Sequence, residues 1–253
     1  MKVLIIAANT FRELLRDRAL LGLLIFAAAV IGLSEAFGMI SGGEDFKFII
    51  DISLAAMLLF SVLISVLGGT NLVYRETERK TIYTIVCRPV QRWQFVVGKY
   101  LGILMLLAVN VSAMGLMFAS YLKVLGGSLS ITMLQAIMMT FLEAAVVTSV
   151  ALLLSTLTSP MLGAIVSFAV FLAGHGDVEL KLLSERAGSK LLTALANGAY
   201  YAVPNLENFN IRAEAAHYMA VEWSRVGMAG LWALAYSAIA VLLAITVFSR
   251  KNF

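Results

Sequence analysis

Six apolar segments, separated by connections that hold most of the charged residues, constrain this 253-residue chain more than any other feature. In a lipid bilayer every backbone polar group must be satisfied within its own segment, and a helix needs about 20 apolar residues to cross. The alternating pattern of β-barrel strands is absent. We therefore predict an all-α, polytopic helical membrane protein with six transmembrane helices, at residues 19–40, 49–73, 96–122, 131–154, 161–173 and 226–248.

The proportion of charged residues supports this class. Only 13% of the residues are charged, against about 25% in a soluble domain, which leaves too little polar surface for a soluble globule. The net charge of +4 comes from Lys and Arg placed between the apolar segments, which is typical of membrane orientation rather than of nucleic-acid binding. The single cysteine, Cys87, excludes an internal disulfide. We treat residues 1–253 as one transmembrane domain that binds no nucleic acid.

Lysine and arginine are concentrated in alternate connections, those that lie on the same side of the membrane. The N-terminus, the second-to-third connection and the C-terminus contain twelve, counting Lys99, whereas the short connections of opposite parity contain only Lys47 and Lys123. Basic residues favour the cytoplasmic side. We therefore expect a multi-pass protein of a bacterial or archaeal cytoplasmic (inner) membrane, with both termini in the cytoplasm.

The first 18 residues predict an interfacial elbow helix. Apolar residues at positions 3, 4, 7, 8, 11, 14 and 15 repeat at helical spacing, and polar residues occupy the other side. Such a helix lies in the interface, with its apolar face in lipid. The alternative, that it lengthens the first span, would bury Arg12, Glu13, Arg16 and Asp17 at high cost.

The longest connection, residues 175–225, is predicted to be an external helical insertion. Its apolar and charged residues alternate as in amphipathic helices, which we expect at about 178–196 and 211–223. The fifth segment before it is short, because thirteen residues rise only about 20 Å as a helix. Two interpretations remain open: the helix begins earlier, near Ser155, or it stops below the outer surface and continues as a re-entrant segment.

Residues 75–100 are too apolar in their middle for a solvated loop and too charged at their start for a span. We expect a short cytoplasmic helix that begins at Glu76 and Glu78, a stop at Arg88-Pro89, and then the third span. The positive end of a helix dipole favours acidic residues at its start. Residues 74–94 therefore form a distinct cytoplasmic loop.

This loop resembles the equivalent loop of the permease subunits of ABC exporters of the ABC-2 type. In order along the chain, the matching residues are Glu76, Glu78, Lys80-Thr81, Pro89, Arg92 and Gly98-Lys99. The ending Phe248-Ser249-Arg250-Lys251 is also similar, whereas Lys80 stands where Gly is frequent in that family. The long external insertion looks like that of permeases linked to maturation of multicopper enzymes, such as the nitrous oxide reductase transporter.

The resemblance implies that the loop contains a coupling helix, which docks on a cytoplasmic ABC ATPase subunit. The residues carried over to this role are Glu76, Glu78, Arg79, Lys80, Thr81, Ile82, Ile85, Arg88 and Pro89. No P-loop spacing is present, so the chain is expected to bind no cofactor and to have no ATPase site, with ATP and Mg used by the partner. The alternative is a basic cytoplasmic loop without a partner.

The resemblance also implies the other partners. The expected assembly is a homodimer, or a pair with a sister permease, embedded in membrane lipid and bound to the ATPase. The ATPase would drive substrate export or mechanical work across the membrane, and an external accessory protein is a further candidate partner.

Polar residues within spans are candidates for function because they are costly in lipid. Glu143, Asn110 and Glu35 are therefore candidates for a translocation path or an interhelix polar contact. Glu143 either exchanges a proton or is held neutral or bonded to a hydroxyl such as that of Thr148. We expect His175 and His217 on the external side, and two histidines without a third ligand predict no metal site.

Two other functions remain open on the sequence alone. An integral membrane enzyme acting on lipid would need a nucleophile with a base, or paired carboxylates, near the membrane surface, and no such set is evident. A secondary transporter would more often contain inverted repeats.

The orientation can be tested at Cys87. If the basic loop is cytoplasmic, a membrane-impermeant maleimide will not label Cys87 in intact cells but will label it once the membrane is opened. Labelling of intact cells to the same extent would contradict the orientation.

Overall fold

A computed structural model describes residues 2–38, 45–78, 91–176 and 203–250, and the side chains of residues 19, 35–38, 45 and 71–78 fall outside that description. The described residues form α-helices and one 3₁₀ turn, with no strand among them. The helices are α1 (Lys2–Leu15), α2 (Arg18–Gly38), α3 (Asp45–Glu78), α4 (Arg92–Val124), α5 (Ile131–Leu157), α6 (Pro160–Gly174), α7 (Arg212–Ala216) and α8 (Trp223–Arg250). The 3₁₀ turn is Glu207–Phe209.

The six predicted apolar segments coincide with α2, α3, α4, α5, α6 and α8. Within the described residues, α3, α4, α5 and α8 are long and apolar enough to cross a membrane, and α2 and α6 contribute shorter apolar stretches. This confirms the prediction of a polytopic helical membrane protein. One end of the bundle, which we call the basic end, contains the starts of α4 and α6 and the ends of α3, α5 and α8. The opposite end contains Val124, Ile131 and Trp223.

Helix α5 is the centre of the bundle and packs against α3, α4, α6, α7 and α8. Small residues bring α3 and α5 together, since a Cβ added to Gly69 would lie 2.7 Å from the Ala151 Cβ. Two hydrogen bonds fix α5 to its neighbours: Ser65 Oγ donates to the Ala144 carbonyl at 3.1 Å, and Tyr100 Oη donates to the Ala145 carbonyl at 3.2 Å. In a membrane, such packing and interhelical hydrogen bonds replace the hydrophobic effect as the source of association.

Helix α1 lies against the first turns of α4. Gly98 and Gly102 make room for it, because a Cβ on Gly102 would lie 2.6 Å from the Thr10 Cβ and 2.8 Å from the Ala7 carbonyl oxygen. The Lys99 side chain is only 2% exposed, and its Nζ lies 3.6 Å from Glu13 Oε2 of α1. The predicted apolar face of α1 is therefore divided. Ala7 and Leu14 are buried against the bundle, whereas Leu4 is 68% exposed.

Two helix boundaries differ from the prediction. Helix α3 includes Glu76 and Glu78, so these residues continue the helix of the second span instead of beginning a separate one. Apolar runs mark only the part of a helix that lies in lipid, so they do not reveal a polar continuation. The proposed start of α6 near Ser155 is also wrong, because Ser155 belongs to α5 and α6 begins at Pro160.

The predicted helix at 211–223 is also wrong. Helix α7 contains five residues and ends at Ala216, because Tyr218 has a φ of +56°, a left-handed conformation that does not continue a helix. The following residues bond to the start of α5 instead. Thr132 Oγ1 donates to the Met219 carbonyl at 2.8 Å, and Gln135 Nε2 donates to the Val221 carbonyl at 3.2 Å. The other predicted insertion helix, at 178–196, lies outside the described residues.

The close contact of α1 with α4 can be tested by Gly102→Ala. The added methyl group meets backbone and Cβ atoms of α1, so we expect a loss of about 1–3 kcal/mol of stability and faster amide exchange in α1. Gly22→Ala is the matched control, because no atom lies within 4 Å of its Cβ position. Equal exchange of α1 in both variants would contradict the contact.

Candidate functional site

Helix α6 ends well before the opposite end of the bundle. Its 15 residues rise about 22 Å, less than the roughly 30 Å of a hydrocarbon core. At its last residue, the Gly174 carbonyl accepts a hydrogen bond from the Leu206 N–H at 2.9 Å. The chain beyond residue 202 therefore re-enters the bundle, which supports the re-entrant interpretation of the short fifth segment.

The re-entrant segment, residues 203–216, is packed as core. Leu206, Phe209, Ile211, Ala215 and Ala216 are buried together with residues of α3, α5 and α8. The Phe209 ring lies 5.8 Å from that of Trp232 on α8. Non-helical backbone at membrane depth is tolerated where it is buried in protein, and this segment meets that condition.

A carboxyl group and an imidazole meet where α6 ends. Glu143 lies roughly 18 Å along α5 from Ile131, at 1.5 Å per residue, and its Oε1 is 3.3 Å from His175 Nε2. The Glu143 side chain is 2% exposed and that of His175 is 20% exposed. Neither atom has a hydrogen bond in this arrangement, so the contact is defined by distance and charge.

The other ring nitrogen of His175 also faces an acceptor. Nδ1 lies 3.3 Å from the Phe171 carbonyl oxygen, four residues earlier on α6. A neutral imidazole has one N–H, so it can donate to this carbonyl oxygen or to the Glu143 carboxylate, but not to both.

A polar groove lies between the re-entrant segment and the start of α8. Its volume is about 440 Å³, and it is lined by Asn205, Glu207, Asn208, Asn210, Ala213, Glu214 and Arg225. Glu214 Oε1 pairs with Arg225 at 2.9 Å, and Asn210 Nδ2 donates to Glu207 Oε1 at 2.9 Å. Glu207 also interacts electrostatically with Glu143, as does Arg212. The re-entrant segment thus brings polar groups from the groove towards the middle of the bundle.

The three polar residues predicted within spans have different surroundings. Glu143 is buried beside His175, and the Thr148 hydroxyl expected as its partner donates to the Ala144 carbonyl instead. Asn110 is buried, and its Nδ2 donates at 2.9 Å to Leu106 on its own helix, not across helices. Glu35 belongs to α2, but its side chain lies outside the description.

Sequence reasoning missed His175 and Arg212. We expected His175 on the external side, whereas the structure has it inside the bundle, level with Glu143. The shortness of the fifth apolar segment was the signal that could have indicated the position of His175. A helix that rises about 22 Å from the basic end leaves the residue after it near the middle of the bundle. For Arg212, no signal in the sequence indicated that the chain returns to this depth.

The basic end anchors the chain on one side of the predicted coupling residues. Arg92, at the start of α4, donates through Nη1 to the Ser249 carbonyl at 2.6 Å, near the end of α8. Phe95 and Phe248 stack at 5.7 Å. Of the predicted coupling residues, Arg79, Lys80, Thr81, Ile82, Ile85, Arg88 and Pro89 lie outside the described residues, and the side chains of Glu76 and Glu78 do as well.

Comparison with protein families decides the class of the chain. The family described as "ABC-2 family transporter protein" matches residues 16–174, which is more than half of the sequence. The chain belongs to the ABC-2 transporter family. It is therefore an integral membrane protein and a permease subunit of an ABC transporter, in a family whose membrane subunits are typically non-catalytic and associate with an ABC ATPase.

The family match includes α2–α6 and the predicted coupling loop, and it ends at Gly174, before the insertion. The similarity of this ABC-2 permease to the multicopper-enzyme subgroup rests on that insertion, so it stays a prediction. No curated protein matches the chain.

Docking of the re-entrant segment on α6 can be tested by Gly174→Ala. A Cβ there would lie 2.6 Å from the Pro204 carbonyl oxygen and 2.8 Å from Leu206 Cγ. We expect a loss of about 1–3 kcal/mol and faster exchange of the Leu206 amide. Gly227→Ala, with no atom within 4 Å of its Cβ, is the control. Unchanged protection of Leu206 in Gly174→Ala would contradict the contact.

Proposed function

We propose that this permease couples ATP hydrolysis by a separate ATPase subunit to export of a substrate, or to mechanical work, across a bacterial or archaeal cytoplasmic membrane. The observation that carries the proposal is the family match over residues 16–174, which includes the segment from Glu76 to Lys99 on which the resemblance depends. ATP and Mg are used by the partner. The basic end faces the cytoplasm, in agreement with the distribution of Lys and Arg.

The coupling role belongs to the segment between α3 and α4. That segment leaves the end of α3 at Glu78 and enters α4 at Arg92. Its exit is held firmly, because α4 is packed against α1 through Gly98 and Gly102 and bonded to the end of α8 through Arg92. A rigid anchor of this kind supports transmission of force from a docked ATPase to the bundle.

Two permease subunits complete the transporter in this proposal, as a homodimer or with a sister permease. The apolar side chains exposed on α8, such as Met228, Leu231, Leu234 and Ile239, offer a surface for lipid or for a second permease. An external accessory protein would act at the opposite end, on the insertion.

The place of Glu76 and Glu78 on α3 sharpens the test of coupling. A purely local role for the two residues predicts that Glu76→Gln with Glu78→Gln changes stability by about 0.5 kcal/mol or less, as surface substitutions usually do, and leaves the transporter active. A docking role predicts that the variant folds but loses the ATPase, or hydrolyses ATP without transport.

The variant is measured by co-purification of the ATPase and by transport and ATP hydrolysis in proteoliposomes. Ile82→Asp with Ile85→Asp should uncouple the transporter more severely, because it removes apolar anchors of the coupling helix. Glu222→Gln, an exposed carboxylate at the opposite end, is the matched control and should behave as wild type. Partner binding and coupled transport in both loop variants, or ATP hydrolysis by this chain alone, would refute the proposal.

A further inference from the structure

We propose that Glu143 and His175 form a binding site for one proton. The proposal rests on the geometry of this buried pair and does not depend on the exporter assignment. Its test below measures proton binding directly, so it can fail while the proposed transport function stands, and the reverse also holds.

Proton counting at the contact supports the proposal. His175 lies between two acceptors, with Nδ1 3.3 Å from the Phe171 carbonyl oxygen and Nε2 3.3 Å from Glu143 Oε1. A neutral imidazole has one N–H, so without a further proton one of its nitrogens presents a lone pair to an acceptor. One added proton removes this repulsion, whether it resides on the ring as an ion pair or on the carboxyl group as a neutral pair. The pair then binds a single proton as a unit.

Burial makes the state of the pair without the added proton costly. Oε1 of Glu143 and Nε2 of His175 are both buried and have no other hydrogen-bond partner. An uncompensated buried charge destabilises a protein strongly, whereas a compensated pair does not. Binding of a proton therefore stabilises the site.

The titratable groups around the pair come from every packed element. Arg212 of α7 and Glu207 of the 3₁₀ turn interact electrostatically with Glu143 and have opposite signs. From α4, Tyr100 bonds to the Ala145 carbonyl, and α8 contributes Tyr236 and, in the groove, Arg225. The nearest α3 group is the hydroxyl of Ser65, bonded to Ala144. Lys47 and Asp51 of α3 lie near its start, at the opposite end.

A metal ion fits this site less well than a proton. Catalytic and structural sites for zinc use at least three protein ligands. Within the residues that the structure describes, no three His, Cys, Asp or Glu side chains come together. A proton needs only the two atoms that the pair provides.

The test is infrared difference spectroscopy of the purified full chain in lipid nanodiscs, between mildly acidic and mildly alkaline pH. We expect a pH-dependent band of the Glu143 carboxyl group, at the position of a protonated carboxyl group for the neutral pair or of a carboxylate for the ion pair. This band should disappear in Glu143→Gln and shift or lose intensity in His175→Gln. His217→Gln is the matched control. His217 Nδ1 also contacts the carbonyl four residues earlier, that of Ala213 at 2.9 Å, but its side chain is exposed.

The outcomes separate the proposal from a merely structural role. Thermal unfolding first shows that the Glu143→Gln variant is folded. An infrared difference spectrum of this folded variant that is unchanged from wild type would overturn the proton site. If His217→Gln altered the carboxyl band as much as His175→Gln, the pairing of Glu143 with His175 would be refuted.

Discussion

A transmembrane bundle leaves no backbone polar group unpaired in lipid, and α6 meets this requirement over only part of the bundle. Its 15 residues end at Gly174, and the Leu206 N–H satisfies the carbonyl at that point. The re-entrant segment then fills the space that a longer helix would have occupied. Because that segment contains Glu207, Asn210 and Arg212, it brings further polar groups into the bundle. The short helix is thus the origin of the candidate site.

The centre of the bundle and its basic end are held by different means. Around α5, small side chains allow close approach, and hydrogen bonds from Ser65 and Tyr100 reach consecutive carbonyls. Each such bond contributes only about 0.6 kcal/mol on average in membranes, so packing supplies most of the association. At the basic end, α1 is held on α4 by Gly98 and Gly102 and by the ion pair of Lys99 with Glu13. A charged contact is possible there because Glu13 is half exposed to solvent.

The sequence allowed prediction of the six apolar helices and of Glu143 as a buried polar residue, because the cost of polar groups in lipid makes both visible as patterns. It did not allow prediction that α3 includes Glu76 and Glu78, because apolar runs mark only the part of a helix that lies in lipid. The pairing of Glu143 with His175 was missed for another reason. It depends on how far a 15-residue helix reaches and on a chain reversal near Pro204, and neither leaves a periodic pattern.

The hydrogen bonds of Ser65 and Tyr100 to α5 limit which helices can move relative to one another. Ser65 and Tyr100 bond α3 and α4 to carbonyls one and two residues after Glu143, so relative movement of these three helices would break both bonds. No comparable interhelix hydrogen bond joins α6 to α5 within the described residues, where the contact is the 3.3 Å approach of His175 to Glu143. Movement of α4, which begins at Arg92 beside the predicted coupling segment, would therefore carry α3 and α5 with it. The three helices would then shift relative to α6 and the re-entrant segment, and the distance between Glu143 and His175 would change.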